Sequence, residues 1–214
     1  MFAFSTQVFA ANNALFRVDT KSKVVAITFD DGPHSTFTPL LLKVLREERV
    51  QATFFLLGRE VNKNPKIAVR IHKEGHELGN HGYSHSVMRY LNQNQIYQEM
   101  IKTQVAIARH VGIRTTLFRP PFGEMTPSII KVNNQLGYRL IRWSMDPRDW
   151  DQHQKANMIA RHVQKNVRPG DIILFHDGGA NQKETIHAVR TIIRDLKRKG
   201  YQFVTVSQLM KYGR

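Results

Sequence analysis

The stretch Thr28-Phe29-Asp30-Asp31-Gly32-Pro33 (TFDDGP) closes the apolar run Val24-Val25-Ala26-Ile27 with two adjacent carboxylates and a Gly-Pro break. The run is continuously apolar rather than alternating, so it reads as a strand buried on both faces. Gly32-Pro33 must end it at once, which leaves both carboxylates at the strand's C-terminal mouth. Two carboxylates within about 4–6 Å of each other raise one pKa strongly unless a cation lies beside them. The pair therefore invites a metal, with a simple loop-capping pair as the alternative.

Outward from this strand, similar apolar runs recur at residues 52–57, 117–118, 139–145, 171–175 and 203–206, with a weaker one at 77–80. Helical patterns lie between them. Thr38-Pro39, Asn64-Pro65 and Thr126-Pro127 each read as an N-cap followed by proline at the first helical position. Gly75, Gly112, Gly137, Gly170 and Gly200 punctuate the approaches to the following strands. About seven strands alternating with helices favour an α/β fold with a parallel sheet. No glycine fingerprint of a dinucleotide site follows the first strand, so a distorted (β/α) barrel is expected. The helix over residues 92–110 is expected to bury Ile96, Met100 and Val105 with Tyr97, Ile101 and Ala108. The cluster Arg190, Arg194, Lys197, Arg198 and Lys199 reads as a solvated face.

A chain of 214 residues buries roughly 70% of its unfolded surface, enough for one domain without staples. With no cysteine, a thiol nucleophile and thiolate metal sites are excluded, and any metal must sit on His, Asp or Glu. No apolar stretch approaches the roughly 18 residues of a membrane span. The 32 basic against 17 acidic residues give +15, a charge that draws a protein electrostatically towards polyanions such as an anionic cell envelope. No RNA-binding aromatic motif or zinc finger occurs, so no specific nucleic-acid partner is expected. Residues 1–22 read as an N-terminal arm or signal-peptide remnant, Val8-Phe9-Ala10 suiting a signal-peptidase site, and residues 23–214 as the catalytic domain. The composition leaves oligomeric state open.

Four further segments join TFDDGP at strand C-terminal ends. His81-Gly82-Tyr83-Ser84-His85 carries two imidazoles four residues apart, able to share one ion. With Asp31 they make two nitrogens and one oxygen, the open three-ligand pattern of catalytic zinc and related metals. Arg119-Pro120-Pro121-Phe122-Gly123 offers a guanidinium on a stiffened loop. Trp143 to Trp150 brings the carboxylates Asp146 and Asp149 with a flat aromatic wall, and Leu174-Phe175-His176 ends an apolar strand on an imidazole. Strand C-termini are where barrels and open α/β sheets build their sites.

These five segments in order, TFDDGP, HGYSH, RPPFG, DPRDW and LFH, resemble the motifs of the polysaccharide deacetylases, carbohydrate esterase family four, over residues 24–206. The resemblance implies metal-assisted removal of acetyl groups from N-acetylated glycans, such as peptidoglycan or chitin-like polymers. Asp31, His81 and His85 match the metal ligands, with Zn2+ expected and Co2+ or Ni2+ as alternatives. Asp30 matches the general base that activates the water nucleophile, and His176 the general acid that protonates the leaving amine. Arg119 matches the residue orienting the base, and Asp149 the carboxylate orienting His176, with Asp146 as the alternative partner. Leu174 matches the wall of the acetyl-methyl pocket, Trp150 the groove lining, and Phe122 a substrate contact whose backbone N–H helps hold the oxyanion. Two departures stand out: Gly82 replaces a Ser or Thr whose hydroxyl would brace the metal loop, and Phe122 replaces a Tyr. O-acetylated xylan or a non-sugar amide would be served by the same chemistry. Outside enzymes, the reading is a glycan or polyanion binder. An exported, envelope-associated protein is expected.

Overall fold

The computed structural model describes residues 14–179 and 182–213; the expected processing site at Val8 to Ala10 lies outside them. Among the described residues, seven strands form one all-parallel sheet: β1 (Val24–Asp30), β2 (Thr53–Leu56), β3 (Glu77–Asn80), β4 (Leu117–Phe118), β5 (Arg139–Leu140), β6 (Ile172–His176) and β7 (Gln202–Phe203). Their order is β5-β4-β3-β2-β1-β6, with β7 beside the start of β1. The helices are α1 (Phe37–Glu47), α2 (Gly58–Lys63), α3 (Pro65–Lys73), α4 (Gln93–Val111), α5 (Pro127–Leu136), α6 (Ala156–Asn166), α7 (Gln182–Arg198) and α8 (Val206–Leu209). None is long and apolar enough to cross a membrane.

The alternation of side chains along β1 divides the core in two. Val25, Ile27 and Phe29 face outward with Phe54 and Phe175, and pack under Leu41, Leu42 and Leu45 of α1 and Ile192, Ile193 and Leu196 of α7. Val24 and Ala26 face inward with Phe55, Leu117, Ile141 and Ile172, and Val206 and Leu209 of α8 join this inner cluster. Full burial of each such side chain contributes about 1.5–3 kcal/mol. The same parity sends Thr28 and Asp30 to the inner side, and in β6 it sends Ile172, Leu174 and His176 there too.

The barrel is interrupted between β5 and β6, and there the expected long strand at residues 139–145 breaks up. Ile141 bridges Leu15, and Met145 rejoins the sheet only as a single bridge to Ile173. The gap is filled by the chain before β1: the Leu15 amide donates to Leu140, the Arg142 amide to Leu15, and the Val18 amide to Gly170. Residues 15–18 therefore lie within the sheet's closure. Gly170 is required there, since at φ +82 an added Cβ would fall 1.8 Å from the Val18 carbonyl oxygen.

Local expectations were corrected in four places. Helix α1 begins at Phe37, so Thr38 lies inside it, and its hydroxyl donates to the buried Asp177 instead of capping. Asn64 precedes α3, but its side chain donates to the Pro33 carbonyl at 2.9 Å. Residues 205–206 cap and start α8 in place of extending β7, because the Thr205 hydroxyl accepts from the Gln208 amide. Helix α4 buries Ile96, Met100, Thr103, Ala106 and Ile107, leaving Val105 58% exposed, because the 96/100/103/107 spacing follows the helical period and residue 105 does not. Part of the α7 cationic cluster also bridges elements: Arg190 pairs with Glu47 at 2.6 Å and Arg194 with Glu48 at 2.7 Å, tying α7 to the end of α1.

Candidate active site

All five motif segments meet at the C-terminal mouth of the sheet. There they line a cavity of about 510 Å³ that includes Asp30, Asp31, His81, His85, Phe122, Trp150, Leu174 and His176. Asp30, the last residue of β1, is paired across the sheet with His176, the last of β6. Asp31 turns out of the strand with φ +77, a left-handed conformation that Asp tolerates better than most residues but that still stores strain. The turn has no room for a side chain at Gly32, where an added Cβ would lie 2.3 Å from an oxygen of Asp177.

Asp31, His81 and His85 each present a ligand atom, and those atoms all lie within 4.8 Å of one another. Asp31 Oδ1 stands 3.4 Å from His81 Nε2 and 3.2 Å from His85 Nε2. The other His81 nitrogen, Nδ1, sits 2.7 Å from the Arg119 carbonyl oxygen. A carbonyl only accepts, so Nδ1 carries the ring proton and Nε2 of the neutral ring offers its lone pair. Asp31 Oδ1 is buried and receives no hydrogen bond. Lone pairs thus converge with no proton between them, and a divalent cation fits that donor set. Burial works against ionisation of Asp31, but the close approach of the His81 imidazole, with His176 and His85, holds its carboxyl down at about 2. Burial likewise opposes charge on His81, and Asp30 and Asp31 outweigh it, so its pKa is raised; at His85 burial prevails and the pKa is lowered.

Asp30 lies outside the ligand cluster and has its own cation. Arg119 is wholly buried inside the barrel with its guanidinium 4.1 Å over the Phe55 ring, and Nη1 donates to Asp30 Oδ1 at 2.7 Å and to the Thr28 hydroxyl at 2.8 Å. Its Nη2 donates to the Arg142 carbonyl at 2.9 Å. This geometry fixes which Asp30 oxygen remains for the cavity.

His176 Nδ1 is 2.8 Å from Asp149 Oδ1, and Asp149 Oδ2 accepts from the His176 amide and from the Thr185 hydroxyl of α7, each at 2.9 Å. Asp146 is occupied otherwise, with Oδ1 accepting the Arg148 amide at 2.8 Å. Burial pulls the His176 imidazole down, but the charge and hydrogen bond of Asp149 outweigh it and push the pKa up to about 9. Leu174, 3% exposed, forms an apolar wall of the cavity, while Phe122 and Trp150 stand on its rim, 58% and 49% exposed. Phe122 adopts φ +58 and sets its ring edge-on to His85 at 4.5 Å.

Sequence reasoning missed the residues that brace this set from a distance. Gly82, at φ +78, leaves the metal loop without a hydroxyl at that position, yet the loop is held by Asn80 and by Glu99 of α4. Trp143, at the start of the expected aromatic wall, lines the cavity with Trp150. A carboxylate beside the buried stripe of α4, one turn from both Ile96 and Thr103, was the available signal for Glu99.

Fold and cluster together define an α/β barrel with a side-chain cluster able to hold a metal at the carboxyl ends of its strands. The model of the polysaccharide deacetylase family matches residues 17–141. A peptidoglycan-N-acetylglucosamine deacetylase of Bacillus cereus is 39% identical over 199 residues, covering 92% of each chain. A crystallised peptidoglycan N-acetylglucosamine deacetylase, complexed with a naphthalenyl N-hydroxybenzamide, superposes with a TM-score of 0.88 at 36% identity, over 93% of this chain and 94% of that one. A family-four pseudoenzyme from Bacillus anthracis is similar too, with a TM-score of 0.87 at 28% identity, over 94% of this chain and 70% of that one. The chain belongs to the polysaccharide deacetylase family. Its members are metalloenzymes, and its hydrolase chemistry acts on carbon-nitrogen bonds.

Proposed function

We propose that this protein removes N-acetyl groups from N-acetylglucosamine-containing envelope glycan, with peptidoglycan as the substrate. The observation that carries the reading is the convergence in one cavity of a three-ligand cluster, a carboxylate held by its own guanidinium, and an imidazole held by its own carboxylate. A pseudoenzyme on the same scaffold means that fold alone is no warrant for turnover, so the complete set of side chains carries the weight.

Asp31, His81 and His85 would hold the ion, with Zn2+ the metal expected for two nitrogens, one oxygen and an open position. When bound, it supplies a Lewis acid that polarises the acetamide carbonyl and makes water acidic near neutral pH. Asp30, oriented by Arg119, takes the proton from the attacking water. His176, protonated at neutral pH through Asp149, delivers a proton to the amine nitrogen as the C–N bond breaks, so acetate and the free amine leave together. Leu174 closes the pocket around the acetyl methyl, and Phe122 and Trp150 offer ring faces to the sugar. The backbone N–H at Phe122 adds a donor for the oxyanion.

The net charge of +15 supports residence at an anionic envelope, where it raises the local concentration of enzyme on substrate. Export is part of the proposal, and cell fractionation tests it. Acetate release from peptidoglycan, chitin oligomers and acetylated xylan by zinc-reconstituted protein tests the substrate. Release from the N-acetylglucosamine substrates at rates well above xylan supports the reading, and a preference for xylan contradicts it.

A further inference from the structure

We propose that Glu99 is a positioning residue for the metal site, fixing His85 through the backbone of the two residues that precede it. The inference rests on the assignment of Asp31, His81 and His85 as the ligand set.

The two histidines are held differently. His81 is anchored at its ring, through Nδ1 and the Arg119 carbonyl oxygen. Among the described residues no hydrogen bond reaches the His85 ring's Nδ1; beyond its approach to Asp31 and His81 within the cluster, the ring has the edge contact with Phe122. Metal-ligating histidines ordinarily gain their orientation from a partner on the second nitrogen. His85 must gain it from its own main chain, which takes the left-handed conformation φ +62, strained for a residue with a Cβ.

Glu99 supplies what the ring lacks. Its Oε2 accepts the amides of Tyr83 at 2.9 Å and Ser84 at 2.8 Å, and Oε1 accepts the Ser84 hydroxyl at 3.0 Å. Ser84 is the residue directly before His85. The next residue of α4 holds the start of the same loop: Asn80 Nδ2 donates to the Met100 carbonyl at 2.8 Å, and Asn80 Oδ1 accepts the Gly82 amide at 2.9 Å. One turn of α4 thus grips the metal loop at both ends, and Glu99 grips the end without a ring anchor. Three hydrogen bonds from two consecutive residues onto one side chain are suited to keeping His85 in a strained conformation. The grip also accounts for the tolerance of Gly82: the loop's stiffness comes from α4 and needs no hydroxyl at position 82.

The test is the Zn2+ dissociation constant, measured by competition with a chromophoric chelator on full-length protein, beside the melting temperature of each metal-free form. Glu99→Ala is expected to weaken Zn2+ binding by 10- to 100-fold, the usual cost of losing an outer partner of a ligand. Glu99→Gln, whose amide oxygen can still accept from Tyr83 and Ser84, should recover most of the loss. If Glu99→Ala does not fold, Glu99→Asp, with its carboxylate one methylene short, reads the same loss. Glu77→Ala is the control: Glu77, like Glu99, accepts three hydrogen bonds, here from the Ser207 amide and the Ser207 and Thr53 hydroxyls, but at the opposite end of β3 from His81. It should lower stability and leave Zn2+ affinity unchanged. Wild-type affinity in Glu99→Ala, or an equal loss of affinity in Glu77→Ala, overturns the proposal. A wild-type protein that binds no Zn2+ overturns both this inference and the ligand assignment beneath it, whereas weak binding in Glu99→Ala with no acetate release by the wild type leaves the inference standing and removes only the activity.

Discussion

Asp30 and His176 are direct cross-strand neighbours at the ends of two adjacent parallel strands, and each is held by a group of opposite charge, Arg119 at 2.7 Å and Asp149 at 2.8 Å. Parallel register brings the two side chains to the same face at the same height. Their partners come from opposite sides: Arg119 from inside the barrel, after β4, and Asp149 from the loop after β5. A proton acceptor and a proton donor can therefore sit side by side without neutralising each other.

Because Asp30 stands apart from the ligand cluster, its substitution should separate chemistry from metal binding. Asp30→Asn is expected to reduce kcat by 10²–10⁴-fold, the usual range for a general base, while Zn2+ stoichiometry stays at wild type. Acetate release and metal analysis on the same sample check this. Loss of both together would place Asp30 among the ligands.

The raised pKa of His176 depends on Asp149. A carboxylate favours the charged imidazolium, so its removal must lower that pKa. In Asp149→Asn the alkaline limb of the kcat/KM profile should move to lower pH, with turnover falling as His176 loses its proton earlier. An unmoved alkaline limb would remove His176 as the acid.

The Arg119–Asp30 pair is buried, and deleting one partner strands the other. Arg119→Met should destabilise by about 3–5 kcal/mol in urea unfolding. The double variant Arg119→Met/Asp30→Asn should be less destabilised than the sum of the single changes, since no charge then remains unpaired. Simple additivity argues against the pair as a unit.

Away from the site, His76 is buried with Nδ1 accepting the Ala52 amide at 3.2 Å. Burial lowers its pKa from 6.5 to about 4. The unfolded chain therefore takes up a proton below pH 6.5 that the folded chain refuses until about pH 4. Stability should fall across that window, by at most about 3 kcal/mol, and flatten below it. Urea midpoints from pH 7 to 4 should show this slope in the wild type and a shallower one in His76→Gln; equal slopes would clear His76 of the effect.

What the sequence disclosed about the site was local. TFDDGP, the two histidines and the terminal His176 are contiguous marks at strand ends, where turn chemistry and strand parity dictate direction without help from the rest of the chain. Parallel strands were legible for the same reason, since continuous apolar runs need cover on both faces. The bracing groups were not: Thr185 reaches Asp149 across 36 residues and Thr38 reaches Asp177 across 139, and no pattern within one element announces such pairs. Residues 139–145 misread as one strand because apolarity marks burial, and Ile141 and Met145 are buried while bridging to different neighbours. The Leu15 to Val18 segment entered the barrel for a related reason: it supplies the hydrogen bonds that β5, two residues long, leaves open.

Acetate release from N-acetylglucosamine oligomers by chelator-stripped protein, before and after Zn2+ is returned, bears most directly on the cluster of Asp31, His81 and His85. Turnover should vanish on stripping, return with one equivalent of Zn2+, and fail to return in His81→Ala. Undiminished release from fully stripped protein, or full recovery in His81→Ala, would contradict a metal-dependent site built on these three side chains.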